Sequence, residues 1–163
     1  NRCDAMSHYG VARDLKAFLD HKEIKSNLSL PSINSFSPVN IDKEINVNVE
    51  DADKCPFYSG LVIKNINVDS SSQEIQNKLK SIGLKPINSI VDITNYVMHE
   101  IGQPLHAFDL DKIKNITVKS LKSGTKFKTL DKNEIKLNNE DLMICSNSEP
   151  LCLAGIYGGI NSV

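Results

Sequence analysis

The chain has 163 residues, a formal net charge of −1 and 24% charged side chains, enough for one compact domain with its own core plus a flanking element. Its lysines are spread among asparagine and aspartate, which excludes the single basic face of a self-sufficient nucleic-acid binder. No apolar run approaches the roughly 20 residues of a membrane-spanning helix, and no basic-apolar leader or lipidation signal is present, so a cytoplasmic protein with no membrane partner is expected. Cys3, Cys55, Cys145 and Cys152 form no C-x-x-C pair, and His8, His21, His99 and His106 are scattered. That spacing does not supply a zinc site, so no metal is expected and the thiols read as reduced and mostly buried.

In chain order, residues 4–22 read as a helix, with Ala12, Leu15 and Leu19 at helical spacing and Asp4 available as a cap. Residues 1–25 are thus a helical segment, 26–44 a Ser/Asn/Pro-rich linker and 45–163 the main domain. Ile45, Val47 and Val49 alternate with polar residues and predict a strand. Residues 59–68 predict a longer one, with a bulge near Asn65 where the phase slips. Ser71 and Glu74 spell a capping box, followed by a helix through Ile75, Leu79 and Ile82 that stops at Gly83. Pro86 leads into a second helix from Ile87 to Ile101, closed by Gly102 and Pro104. Strands are predicted at 116–121, 126–130, 134–137, 142–146 and 151–156, with Asp131-Lys-Asn133 as a hairpin turn. The fold class is α+β: a mixed β-sheet core packed with helices, its strands concentrated in the C-terminal third.

The stretch 91–109 is densest in reactive side chains. Asn95 lies on the second helix, and His106 lies just past the break set by Gly102 and Pro104. A stiff turn after a helix end can aim back toward that helix, so Asn95 and His106 could line one cleft. Equally, Asn95 could face water while His106 bonds a backbone carbonyl. Asp92 and Asp109 could pair as acid and base, although carboxylates so spaced more often cap helices and turns. Ala154-Gly-Ile-Tyr-Gly-Gly159 ends a strand, and its backbone could cradle an oxyanion or carboxylate, or simply join two strands. Phosphate-loop, dinucleotide and nucleophile-elbow motifs are absent.

Five motifs go further. Cys55-Pro-Phe-Tyr-Ser-Gly60, Gly83-Leu-Lys-Pro-Ile-Asn88, Val91-Asp-Ile-Thr-Asn-Tyr-Val-Met98, Gly102-Gln-Pro-Leu-His-Ala-Phe-Asp109 and Leu153-Ala-Gly-Ile-Tyr-Gly-Gly159 resemble, in order and spacing, the editing domain of the bacterial phenylalanyl-tRNA synthetase beta subunit. The opening Asn1-Arg-Cys-Asp-Ala-Met-Ser-His8 resembles the stretch before that domain. Phe57 stands where the family carries arginine, Cys3 where proline or alanine is usual, and His99 where leucine is usual. None of these departures falls on the residues the family uses for editing.

The resemblance implies hydrolysis of tyrosyl-tRNA(Phe) made in error by an ATP-dependent phenylalanine-tRNA ligase. An apolar synthetic pocket rejects an isostere that merely adds a hydroxyl only about 10²-fold, so a second site that demands the hydroxyl is needed. By the same resemblance Asn95 and His106 meet the aminoacyl ester beside the tRNA terminal adenosine, with His106 as general base or as positioning group. Gly155, Ala154 and Gly158 line the tyrosine pocket, with the Gly155 N–H foremost, and Thr94 and Pro104 complete the substrate-binding set. A glutamate that accepts the tyrosine hydroxyl is expected beyond Val163, since Glu140 and Glu149 precede the glycine turn. No cofactor is expected in this domain, ATP and magnesium serving the whole synthetase. The implied partners are tRNA(Phe), the mischarged tyrosine and the alpha subunit of a heterotetramer. Two alternatives stand beside this one: a non-catalytic scaffold or subunit-contact module of the same synthetase, and an unrelated small-molecule binding domain.

Overall fold

The computed structural model describes residues 2–37, 45–160 and 162. The chain divides into two compact units, one from Asn1–Ile41 and Asn67–Leu105, the other from Asp42–Ile66 and His106–Val163.

The first unit is helical. A 3-10 turn, Cys3–Ala5, precedes α1 (His8–His21), followed later by α2 (Gln73–Ser81) and α3 (Ser89–Ile101). Helix α1 begins later than its apolar spacing suggested, because Ser7 rather than Asp4 caps it. Ser7 has extended backbone, and its Oγ accepts the Gly10 N–H at 2.9 Å. Asp4 sits in the 3-10 turn and pairs with Arg2. A similar shift occurs at α2. The cap is Ser72, accepting the Ile75 N–H, while Glu74 pairs with Lys78 at 2.7 Å instead of closing a capping box.

The serine expected to cap, Ser71, is buried, and its hydroxyl donates to the Asp92 carboxyl. The second Asp92 oxygen accepts the Ile87 N–H at 2.8 Å, and the residue is only 1% exposed. Asp92 therefore ties the entry to α2 and the segment before α3 to the first turn of α3, and it satisfies two donors that burial would otherwise leave unpaired. Helix α3 starts at Ser89 rather than at Ile87, while its end follows the expected signal. Asn88 caps its start by accepting the Val91 N–H at 3.0 Å, and Gly102 closes it with φ 85° and its N–H on Met98 O. Gly102→Ala is expected to destabilise the protein by about 1 kcal/mol, since a Cβ is strained in the left-handed region. Urea denaturation checks this, and an unchanged midpoint would refute it.

The second unit holds β1 (Asn46–Val49), β2 (Asn115–Ser120), β3 (Lys126–Lys128), β4 (Glu134–Lys136), β5 (Leu142–Ser146), β6 (Glu149–Leu153) and β7 (Tyr157–Gly158). Five strands form one sheet in the order β1-β2-β5-β6-β7, with β1 parallel to β2 and the other pairs antiparallel. Strands β3 and β4 form a separate hairpin around Asp131-Lys-Asn133, where Lys132 takes φ 67° and the Asn133 amide bonds the Asp131 carboxylate at 2.6 Å.

Strand β5 is central and buried on both faces, so its apolar residues run continuously instead of alternating. Ile144 packs with Ile116, Val118, Leu151 and Cys152 on one face. Met143 and Cys145 pack with Phe127 and Leu137 on the other. This mixed sheet with its helices is the expected α+β architecture.

Two readings of the sequence fail here. Residues 59–68 form no strand, and Leu61, Ile63, Ile66 and Val68 are exposed. This segment carries the chain from the second unit into the first, and Asn65 at φ 56° breaks the extended path. Alternating apolar residues describe a strand only where a neighbour supplies the hydrogen-bond ladder, and among the described residues none does here. Strand β6 ends at Leu153 rather than at 156, because a turn follows and leads into β7. Two residues are too few for a period to register.

Candidate functional site

The site residues read from the sequence fall in both units. Thr94 and Asn95 are half-buried on α3, and the Thr94 hydroxyl donates back to Val91 O at 2.9 Å. Pro104 is exposed just beyond the Gly102 cap. His106, Ala154, Gly155 and Gly158 belong to the sheet unit.

There, local geometry brings His106 onto the β6–β7 turn. The turn closes with the Ile156 N–H on Leu153 O at 3.0 Å. Gly155, its third residue, takes φ 68°, as a type II turn requires. Ala154 is held by its N–H on Leu142 O at 2.8 Å and packs against the core of Ile144 and Leu151. Gly158 lies in β7 opposite Cys152, and its carbonyl accepts the Leu130 N–H at 3.1 Å. The remaining turn amide, that of Gly155, donates to His106 Nε2 at 3.0 Å.

His106 is thus bonded to backbone, but to an amide rather than to the carbonyl envisaged from sequence. A ring nitrogen accepting an N–H carries no proton itself. Burial holds the His106 pKa below the ordinary histidine value, which favours the neutral ring. The imidazole lies at 25° to the Phe108 ring with centroids 6.3 Å apart, and Phe108 packs on the sheet core. Tyr58, from the first motif, packs on the same core, and burial pushes its hydroxyl up to about 12.

Other candidates resolve into structural roles. Asp92 is engaged with Ser71 and Ile87, while Asp109 accepts the Asp111 N–H at 3.1 Å and faces Lys112 at 3.7 Å. Each carboxylate serves its own turn or helix end. Cys145 and Cys152 are buried free thiols raised above the usual cysteine range by desolvation, which disfavours a thiolate nucleophile. Cys55 is half-buried and Cys3 exposed. Among the described residues no group of three or more His, Cys, Asp or Glu side chains could hold a metal ion, and no helix is long and apolar enough to cross a membrane. The Ser71–Asp92 contact and the His106–Gly155 contact escaped the sequence reading. The run Ser70-Ser71-Ser72 before α2 was the only available hint of the first.

Residues 54–163 match the family described as B3/4 domain. Over 99% of its length the chain is 54% identical to the phenylalanine–tRNA ligase beta subunit of Porphyromonas gingivalis and 50% identical to that of Bacteroides fragilis. Identity to the beta subunit of Salinibacter ruber is 43% over the same share. The chain spans about a fifth of the length of these relatives, 20%, 20% and 19% respectively. These matches bear out the resemblance read from the five motifs. With the family match covering most of the chain and beta subunits aligning along nearly all of it, the chain belongs to the B3/4 domain family.

Proposed function

We propose that this chain carries the hydrolytic editing function of a cytoplasmic phenylalanine-tRNA ligase beta subunit: deacylation of tyrosine wrongly esterified to tRNA(Phe). Its editing domain is taken as residues 45–163. The observation that carries this reading is the Gly155–His106 contact, which joins two of the motifs that resemble the editing domain. A glycine turn held by an imidazole that burial keeps in its neutral form is a pre-formed polar corner of the kind an ester-binding site needs.

In this reading Asn95 and His106 each contact the ester end beside the terminal adenosine, the turn of Ala154, Gly155 and Gly158 lines the tyrosine pocket, and Thr94 and Pro104 complete the substrate-binding set. An ester is activated enough that orientation of substrate and water supplies much of the rate. The hydrolysis needs no cofactor in this domain; ATP and magnesium belong to the ligation reaction of the whole synthetase, with the alpha subunit as partner.

The test is deacylation of tyrosyl-tRNA(Phe) by the assembled ligase. Asn95→Ala and His106→Ala are each expected to slow it by at least about tenfold, leaving phenylalanylation intact. If both variants deacylate at the unaltered rate, the site assignment falls, and a scaffold or subunit-contact role becomes the better account.

A further inference from the structure

Lysines occur throughout the sequence, but the sheet unit concentrates their charge. Eight of the chain's 19 basic residues lie between 112 and 136, against Asp131 and Glu134, in a chain of net charge −1. Asp131 is occupied inside its own turn by the Thr129 hydroxyl and the Asn133 amide. The register of the β3–β4 hairpin sets Lys126 directly opposite Lys136 and Lys128 opposite Glu134. These four side chains therefore share one exposed face, with Phe127 buried beneath the other. Glu134 takes Lys126 at 2.8 Å. Among the described residues Lys128 and Lys136 form no ion pair, although both act on Glu134 through space. With Glu149, which lines a cavity beside Lys126 and Lys128, the face still holds more ammonium than carboxylate groups. Like charges directly opposite destabilise a strand pair, so the Lys126–Lys136 juxtaposition does not serve the hairpin's own stability.

The face is also held in a fixed place. The Leu130 N–H donates to Gly158 O at 3.1 Å, the Ile160 N–H donates to Lys128 O at 3.0 Å, and Thr129 bridges Gly159. These bonds lace the hairpin to the strand that leaves the Gly155 turn.

We infer that the Lys126, Lys128 and Lys136 face is a contact surface for the phosphate backbone of an RNA, engaging the strand whose esterified end reaches the Gly155 turn. That the RNA is a tRNA rests on the editing reading above; that the ligand is a polyanion rests on the charge and the register alone. Lys126 and Lys128 stand two residues apart on one strand, about 6.8 Å, a spacing comparable with that of neighbouring phosphates. An ammonium group is a point charge that holds a phosphate without demanding one geometry. Phe127, the only ring in the hairpin, is buried, so no base stacks there. The contact positions the strand without reading its sequence. Three ammonium groups do not capture RNA unaided, so the surface acts on RNA that the whole ligase already holds.

The test uses the assembled ligase carrying Lys126→Gln, Lys128→Gln and Lys136→Gln. Its affinity for uncharged tRNA(Phe), measured by filter binding, is expected to fall about tenfold at about 0.1 M salt. The slope of log affinity against log salt is expected to flatten by about 2, roughly 0.7 for each lost contact. Deacylation of tyrosyl-tRNA(Phe) is expected to lose about tenfold in kcat/KM, and Glu134→Gln alone to tighten RNA binding about threefold. An unaltered affinity and slope overturn the inference. So does an equal loss from Lys22→Gln, Lys25→Gln and Lys80→Gln, which would make net charge the cause. Loss of the alpha subunit from the hairpin variant with RNA affinity unchanged would assign the face to a protein partner and overturn it as well. An unaltered ligase that fails to deacylate tyrosyl-tRNA(Phe) removes the editing reading, and the binding measurement then decides the surface by itself.

Discussion

Asp92→Ala is expected to lower the unfolding free energy by about 3 kcal/mol, and Asp92→Asn by about 1 kcal/mol. Alanine removes both acceptors at once. The Ile87 N–H and the Ser71 hydroxyl, which now bond the carboxyl, are left without partners in a place where Asp92 itself is 1% exposed. Each buried orphan costs about 1–3 kcal/mol, partly relieved where the hydroxyl rotates to another acceptor. Asparagine keeps the shape: its oxygen accepts the Ile87 N–H and its NH2 donates to Ser71 Oγ, which reverses its own role from donor to acceptor. Urea denaturation followed by circular dichroism separates the two variants, and equal losses would refute the hydrogen-bond account. Because α3 also carries Thr94 and Asn95, the editing function proposed above predicts that Asp92→Ala also reduces deacylation, in step with the loosening of the helix.

Gly159→Ala is the second large effect, again about 3 kcal/mol, near the upper end for overpacking a core. A Cβ at Gly159 would lie 2.5 Å from Leu151 O and 2.7 Å from Phe127 Cε2. Neither can yield easily. Leu151 O is the acceptor of the Gly159 N–H at 2.7 Å, and Phe127 belongs to the buried cluster with Met143 and Leu137. Moving Gly159 away instead breaks its bridge to Thr129 and strains the Ile160 N–H bond to Lys128 O at 3.0 Å. Gly155→Ala is the internal control. It has open space at the Cβ but a positive φ, so it is expected to cost about 1 kcal/mol from backbone strain alone. A thermal melt in which the Gly155 variant loses as much as the Gly159 variant would show that sterics at Gly159 are not the cause.

The two glycines illustrate why part of this molecule was legible in advance. The body and C-terminal end of α3 were readable, because a 3.6-residue apolar period and a glycine stop are local signals, whereas its start was expected at Ile87 and lies at Ser89. Four of the five strands predicted after residue 115 lie close to their expected places, since a strand buried on one or both faces writes its burial into adjacent residues. The candidate site was legible differently. Asn95, His106 and Gly155 were named from motif order, which carries family membership but no geometry.

What local signals could not supply were choices made between distant segments. Three serines, Ser70, Ser71 and Ser72, precede α2, and a serine hydroxyl suits a helix N-terminus. Only the presence of Asp92, 21 residues beyond Ser71, assigns Ser71 to the interior and Ser72 to the cap. Residues 59–68 have a strand's composition, yet without a neighbouring ladder they carry the chain across from one unit to the other. His106 and Gly155 are 49 residues apart, and each alone permits several partners. The sequence by itself determined the α+β class, the C-terminal ends of the helices and the family. Tertiary structure decided which polar groups meet, because a hydrogen bond in the interior is selected by the burial of both partners together, and burial belongs to the whole fold rather than to any stretch of chain.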